Sequence, residues 1–135
     1  MILNINKEKG WTSFDVVAKV KGILSKKSIT TGGKKVKVGH AGTLDPLAEG
    51  VLIVLTDSDT RKQDALMQTD KEYVCEIAFG AESPTYDVEG PVSFTELPVD
   101  FSLKAQLPPF IKRYIGQVQQ TVPAYSAASV NGKRL

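Results

Sequence analysis

A glycine-rich run near the middle of the chain displays one carboxylate, Asp45. The run is GHAGTLDPLAEG, Gly39 to Gly50, and an apolar segment follows it directly. Its glycines allow positive φ angles and close approach of a ligand, while Pro46 favours an extended Asp45. A carboxylate presented in this way can attack the anomeric carbon of a sugar or stabilise positive charge there. A plain Asp-Pro turn fits the same residues, and spacing alone favours the turn.

The remaining composition limits which other chemistry is available. One His and one Cys among 135 residues argue against a His/Cys metal site and exclude an internal disulfide. The lone Cys75 fits a reducing cytoplasm. No apolar run reaches the roughly 18 residues that span a membrane, and the N-terminal sequence lacks the apolar region of a signal peptide. Chemistry must therefore rest on carboxylates, hydroxyls, Tyr, Lys and Arg.

Charge is distributed unevenly along the chain. The formal net charge is +2, but residues 1–37 contribute +7 and residues 38–135 contribute −5. A basic front on a mildly acidic body suggests contact with a polyanion, because neutralising phosphates dominates affinity for nucleic acids. A solvated, Lys-rich surface explains the same count, and charge alone leaves both interpretations open.

The elements around the glycine-rich run can be predicted from hydrophobic periodicity. A short strand is expected over Ile2–Asn6, and a helix capped by Thr12 or Ser13 follows, with Asp15 in its first turn. The buried stripe of this helix is predicted at Phe14, Val17, Val20, Ile23 and Leu24. Residues 25–37 are polar, basic and contain two glycines, which predicts a mobile loop or hairpin. Residues 51–55 are predicted as a central strand buried on both faces.

Further along, the patterns alternate between strand, loop and helix. Residues 59–68 favour a short helix, and the alternation from Tyr73 to Phe79 predicts a half-buried strand. Residues 81–100 are typical of loops. Residues 102–115 predict a helix in which Pro108 and Pro109 either cause a local break or start a second turn, and residues 123–130 predict a strand before an Asn-Gly turn. Together these elements predict one α+β domain with a mixed, mainly antiparallel sheet flanked by helices.

Five ordered blocks of the sequence resemble one family. GHAGTLDPLAEGVL is similar to the central motif of the TruB family, the bacterial tRNA pseudouridine-55 synthases. The opening Asn6-Lys7-x-x-Gly10-Trp11-Thr12-Ser13 resembles the start of that family. Three later blocks also match in order: Asp70-Lys71-Glu72-Tyr73, then Thr85-x-Asp87-x-x-Gly90, then Gly116-x-x-x-Gln120-x-x-Pro123-x-Tyr125-Ser126-Ala127 with Asn131-Gly132-Lys133. The resemblance covers nearly the whole chain and implies a pseudouridine synthase-like fold.

The resemblance implies an activity and roles for individual residues. The family detaches a uracil from its ribose in tRNA, turns it and rejoins it through C5 without a cofactor or metal. Asp45 matches the catalytic aspartate. Tyr73 matches a second catalytic residue, the active-site tyrosine that stacks on the flipped-out base and can handle a proton; an apolar core position is the alternative for Tyr73. His40 matches a histidine that contacts the RNA, although a structural hydrogen bond is its simpler role. Expected RNA contacts at the glycine-rich run and the basic segment are Gly42, Thr43, Lys26, Lys27, Lys34, Lys35 and Lys37.

Two departures from the family bear on activity. Ser129 stands where the family has a lysine, and the sequence ends at Leu135 in mid-element, before the family's second half with its partner arginine for the aspartate. The chain is therefore interpreted as the N-terminal part, residues 1–135, of a cytoplasmic, monomeric catalytic domain that acts on the T-arm of tRNA. The alternative is a non-catalytic fragment that binds tRNA. An unrelated α+β carboxylate hydrolase would not produce five ordered matches.

Overall fold

A computed structural model describes residues 1–29, 35–98, 101–121, 129–130 and 133–134. Side-chain environments are described for residues 1–26, 35–98 and 101–121. The chain forms two compact units, Met1–Tyr73 and Val74–Leu135. Over the described residues, small antiparallel sheets and three α-helices give an α+β composition. No helix among the described residues is both long enough and apolar enough to cross a membrane.

The first unit is built on a three-stranded sheet. Strands β1 (Ile2–Lys7), β2 (Val38–His40) and β3 (Gly50–Thr56) lie in the order β1-β3-β2, and both pairings are antiparallel. The predicted N-terminal strand and the predicted central strand are therefore confirmed. The expectation of burial on both faces holds only towards the end of β3, where Val54, Leu55 and Thr56 are all buried, whereas Val51 is exposed.

Helix α1 (Ser13–Ile29) is capped by Thr12, one of the two predicted caps, and Asp15 lies in its first turn as predicted. The Thr12 hydroxyl accepts the Asp15 backbone N–H at 3.0 Å, and the Asp15 carboxylate accepts the Thr12 backbone N–H at 2.9 Å and its hydroxyl at 2.6 Å. These bonds satisfy N–H groups that a helix start leaves without partners. The bonds from Thr12 lower the pKa of Asp15 below its ordinary value of 3.8.

This cap should make folding stability sensitive to acid. Because the pKa of Asp15 is lower in the folded state, its contribution is present above pH 3.8 and is lost as the pH falls through the folded value. We expect the unfolding free energy of the wild type to fall more steeply below about pH 4 than that of Asp15→Asn. Urea unfolding at several pH values measures the unfolding free energy of the wild type and of Asp15→Asn. Parallel curves for the two proteins would rule out this role of Asp15.

The buried face of α1 differs from the predicted stripe. Val16 and Val17 are buried and Val20 and Leu24 are half-buried, but Phe14 is 73% and Ile23 is 59% exposed. At about 100° per residue, Phe14 lies well around the helix from the face shared by Val16 and Val20. Val16 packs with Leu52 and Val54 in the core, and the partly buried residues around them are Leu3, Ile5, Trp11, Val20, Val38 and Leu44.

The predicted loop over residues 25–37 is wrong in its first part. Helix α1 continues to Ile29, because residues 25–29 contain no glycine or proline and lysine favours helices. Residues 30–34, with the glycine pair, lie outside the described residues. Residues 35–37 are irregular before β2 begins at Val38. After β3, a 3₁₀ helix (Asp57–Lys62) and α2 (Gln63–Met67) confirm the predicted short helix.

The second unit contains short elements. Strand β4 (Ala81–Glu82) pairs with β5 (Ser93–Phe94), and β6 (Ser129–Val130) pairs with β7 (Lys133–Arg134), both antiparallel. Helix α3 (Leu103–Ile111) includes both prolines and passes into a 3₁₀ turn (Lys112–Tyr114), so the predicted break at the prolines is replaced by this change after Ile111. The end of the strand predicted over residues 123–130 is confirmed by β6, while residues 123–128 and the predicted Asn131-Gly132 turn lie outside the described residues.

The strand predicted from Tyr73 to Phe79 is wrong. These residues are irregular, and among the described residues no strand pairs with them. Their side chains lie in solvent: Tyr73 is 68%, Val74 96% and Ile77 70% exposed. Alternation of apolar and polar residues stabilises a strand only when a neighbouring strand takes its hydrogen bonds and a core covers its apolar face. The described residues provide neither for this segment.

Candidate active site in the loop between strands β2 and β3

Asp45 lies in the loop of residues 41–49 that joins β2 to β3. Its side chain is exposed, and its backbone carbonyl accepts the Ala48 N–H at 3.1 Å. Gly42 and Gly50 bracket the loop with φ of 114° and 120°, angles that side-chain-bearing residues rarely adopt. A Cβ at either position would meet no atom within 4 Å, so backbone conformation alone requires glycine there. The loop is thus an irregular turn with its carboxylate facing solvent.

The residue before Asp45 is fixed to helix α1. The buried Ser13 hydroxyl donates to the Leu44 carbonyl at 3.1 Å and accepts the Leu44 N–H at 2.9 Å. The Leu44 side chain packs against the hydrophobic core. Both backbone groups of Leu44 are therefore satisfied by one hydroxyl, and its side chain is anchored as well.

The residue after Asp45 is fixed to the turn that follows β1. The Pro46 carbonyl accepts the Gly10 N–H at 2.7 Å and the Lys7 ammonium at 3.4 Å. Lys7 is fully buried, and its Nζ also donates to the carbonyls of Trp11 at 2.7 Å and Glu8 at 3.2 Å. An ammonium has three protons to donate, so these three carbonyls match its capacity. Asp45 is consequently held from both sides while its own side chain stays free to meet a substrate.

His40 stands at the end of β2, at the entrance of the loop. Its Nδ1 lies 2.7 Å from the Gly42 carbonyl oxygen, and since a carbonyl oxygen only accepts, Nδ1 is the donor. This bond supports the structural interpretation of His40. It also leaves Nε2 uncommitted to Gly42, so a second contact through that nitrogen is compatible with the geometry. Thr43, two residues before Asp45, is exposed on the same loop.

Tyr73 is not brought to this loop by any described hydrogen bond. It lies in the irregular segment at the end of the first unit and is mostly exposed. Of the basic residues expected to contact RNA, Lys26 is exposed on α1, and Lys35 and Lys37 are exposed just before β2. The backbone of Lys27 belongs to α1, and Lys34 lies outside the described residues.

Two positioning residues were not identified from the sequence. In the sequence, Lys7 and Ser13 both belong to the first matching block, and Ser13 is also a possible helix cap, but no pattern assigns either residue a part in positioning Asp45. A lysine at the end of a strand is ordinarily a solvated residue, and nothing local signals that its Nζ reaches a loop 39 residues away. The contact between Lys7 and Pro46 depends on the tertiary structure, which brings the end of β1 next to the loop before β3.

Removing the Ser13 hydroxyl should loosen the loop. We expect Ser13→Ala to lower the unfolding free energy by about 2 kcal/mol, because two backbone groups of Leu44 lose their partner. Ser58→Ala, at an exposed position, serves as the matched control and should change it by less than about 0.5 kcal/mol. Chemical denaturation measures both. Equal stability of the two variants would contradict the anchoring role of Ser13.

Comparison with known proteins identifies the family. The family model described as TruB family pseudouridylate synthase (N terminal domain) matches residues 26–135. The chain is 41% identical over 133 residues to tRNA pseudouridine synthase B of Bacteroides fragilis, covering 98% of this chain and 55% of the relative. Proteins of the same name from Lactococcus lactis and Clostridium kluyveri are 41% and 42% identical over 99% of this chain, with 38% and 43% of the relatives covered.

The chain thus spans about half or less of the length of the curated relatives it matches. The match includes the Asp45 loop and runs to Leu135. The resemblance noted in the sequence is confirmed, and the chain belongs to the TruB family of pseudouridylate synthases.

Proposed function

We propose that this chain is the N-terminal catalytic portion of a tRNA pseudouridine synthase that converts uridine 55, in the T-arm of tRNA, to pseudouridine. One observation supports it above all: Asp45 is exposed while both neighbouring residues are fixed to other elements. The names of the relatives, tRNA pseudouridine synthase B, supply the substrate class. A catalytic carboxylate needs this combination of access and fixed position.

The proposed reaction uses the carboxylate of Asp45 as the nucleophile. One of its oxygens attacks C1′ of the ribose, and the bond from C1′ to N1 of the uracil breaks with its electron pair on the base. The detached uracil turns and C5 bonds to C1′, which releases the carboxylate. The proton on C5 is then lost and N1 gains one, so the net change is an isomerisation. No redox step or group transfer occurs, and no cofactor is invoked.

The base must leave its stack to reach Asp45, and two side chains are proposed to receive it. An exposed aromatic ring such as Tyr73 can stack on a flipped-out uracil. His40 is proposed to position the RNA through Nε2 while Nδ1 stays bonded to Gly42. Gly42 and Thr43 offer a backbone and a hydroxyl beside Asp45 for the same purpose.

The basic front of the chain is proposed to hold the tRNA backbone. Residues 1–37 carry a formal charge of +7, and phosphate contacts of this kind position RNA without reading its bases. The proposed contacts are Lys26, Lys27, Lys34, Lys35 and Lys37. The monomeric state and the cytoplasmic location stay predictions.

A second candidate function is tRNA binding without catalysis. It is favoured by the coverage of the relatives, since a chain that spans 55% or less of each leaves room for other active-site groups in the remainder. The replacement of the family lysine by Ser129 points the same way.

A chimera separates the two candidates. The 135-residue chain is tested alone and fused to the part of the Bacteroides fragilis relative that lies beyond the matched region, with a tRNA transcript as substrate. We expect pseudouridine at uridine 55 with the chimera, detected by mass spectrometry after chemical labelling, and none in a transcript with cytidine there. Turnover by the chain alone would reject the non-catalytic candidate. An inactive chimera that still binds tRNA would contradict the catalytic one.

A further inference from the structure

The first unit also contains a pocket at the start of β2, beside Val38 and Gly39. Its volume is about 480 Å³. Besides two valines, the residues that line it are Lys21 on α1, Lys35 and Lys37 before β2, Gly39 on β2, and Thr60 and Gln63 after β3. Neither Asp45 nor any other residue of the loop 41–49 lines this pocket.

The charge of the pocket is one-sided. Three of its lining residues are lysines and none is a carboxylate. The nearby Asp57 uses Oδ1 to accept the backbone N–H of Lys37 at 3.3 Å. Asp59 is bound by Lys62 at 2.7 Å and by the N-terminal ammonium at 3.0 Å. The pocket thus has three lysines and no carboxylate along its lining, a composition that attracts anions.

The neutral groups of the pocket also suit an oxyanion. The Thr60 hydroxyl donates to the Asp57 carbonyl at 2.7 Å, which leaves the Gln63 amide as the neutral side-chain donor. Among the described residues, the Nε2 of that amide makes one weak contact, with the Met67 sulfur at 3.8 Å. Gln63 lies beside β2, since a Cβ at Gly39 would make ordinary van der Waals contact with Gln63 Oε1 at 3.6 Å.

We propose that this pocket binds a backbone phosphate of the substrate RNA. The inference rests on the proposed function for the identity of the RNA and adds Lys21 and Gln63 to its binding surface. The ligand chemistry is a phosphate oxyanion gripped by ammonium groups from two separate chain segments. A phosphate held there fixes the stem of the T-arm relative to the catalytic loop.

The test uses the 135-residue chain and a fluorescently labelled T-arm stem-loop RNA. Lys21→Gln is compared with Lys19→Gln, a matched control on the same helix about 200° around it. Lys19 lies outside the pocket, with its Nζ 4.8 Å from the Trp11 ring centre. Anisotropy titrations at several KCl concentrations give the affinity and its salt dependence. We expect Lys21→Gln to bind roughly fivefold more weakly and to reduce the salt slope by about 0.7–0.9, the value for one phosphate contact.

Three results would overturn the proposal. In the first, Lys21→Gln binds the RNA with the affinity and salt dependence of the wild type. In the second, Lys19→Gln loses as much RNA affinity as Lys21→Gln. The third is that the unsubstituted chain does not bind the RNA. Inorganic phosphate and an RNA lacking the stem distinguish the sources of the phosphate. If millimolar phosphate competes fully or the stemless RNA shows the same Lys21 effect, the pocket is a small-anion site instead. An inactive chimera with an intact Lys21 effect would sink the proposed function and leave this pocket standing.

Discussion

Replacing Lys7 by methionine is expected to destabilise the chain by about 3 kcal/mol and to slow catalysis by the chimera by roughly 100-fold. The ammonium is fully buried and donates to the carbonyls of Glu8, Trp11 and Pro46. Methionine has a similar length and removes the cost of burying a charge, but it leaves three carbonyls without this donor. The lost bonds outweigh the relieved desolvation, because hydrogen bonds to charged groups contribute about 1.5–3 kcal/mol each.

Lys7→Met is expected to slow catalysis because Lys7 helps to fix the backbone next to Asp45. Pro46 keeps the Gly10 N–H but loses Lys7, so the backbone beside Asp45 can shift. A displacement of about 1 Å at a reacting group can cost about 100-fold in rate. Lys9→Met, at an exposed position two residues further along, is the matched control. Urea unfolding and pseudouridine formation are measured for both variants, and a Lys7→Met protein as stable and active as Lys9→Met would refute the role of Lys7.

Local patterns predicted the parts of the fold whose stability is decided locally. Strand β1, the cap at Thr12 and the apolar β3 follow from residue types within a few positions of one another. The segment from Tyr73 to Phe79 has an equally clear alternation but forms no described strand. The difference is a pairing partner: β3 lies between two strands, and this segment has none among the described residues.

The candidate site was predictable only in part for the same reason. The sequence pattern indicated that Asp45 is a carboxylate on a glycine-rich turn, and the resemblance to the family predicted that it is the catalytic aspartate. The anchors of that turn come from β1 and α1, 31 to 39 residues away, and depend on which elements pack together. Ser13 and Lys7 anchor this turn because they are buried and bond to Leu44 and Pro46. These contacts join residues far apart in the chain, so no local sequence pattern predicts them.

Replacing Asp45 by asparagine is expected to have the largest effect on catalysis. Asparagine has the same size but is a poor nucleophile, and loss of a catalytic nucleophile lowers kcat by about 10⁴-fold or more. Stability should change by less than about 0.5 kcal/mol, because the side chain is exposed. tRNA affinity should not fall, since removing a negative charge does not weaken binding to phosphates. Asp64→Asn, an exposed aspartate on α2, is the matched control.

Single-turnover formation of pseudouridine, with the chimera in excess over tRNA, tests the role of Asp45 most directly. Excess protein saturates the RNA, so the rate reports the chemical steps rather than binding. The wild type and Asp64→Asn should convert uridine 55 at the same rate, while Asp45→Asn should form no detectable pseudouridine although it binds the tRNA as tightly. Conversion by Asp45→Asn at the wild-type rate would contradict the assignment of Asp45 as the nucleophile.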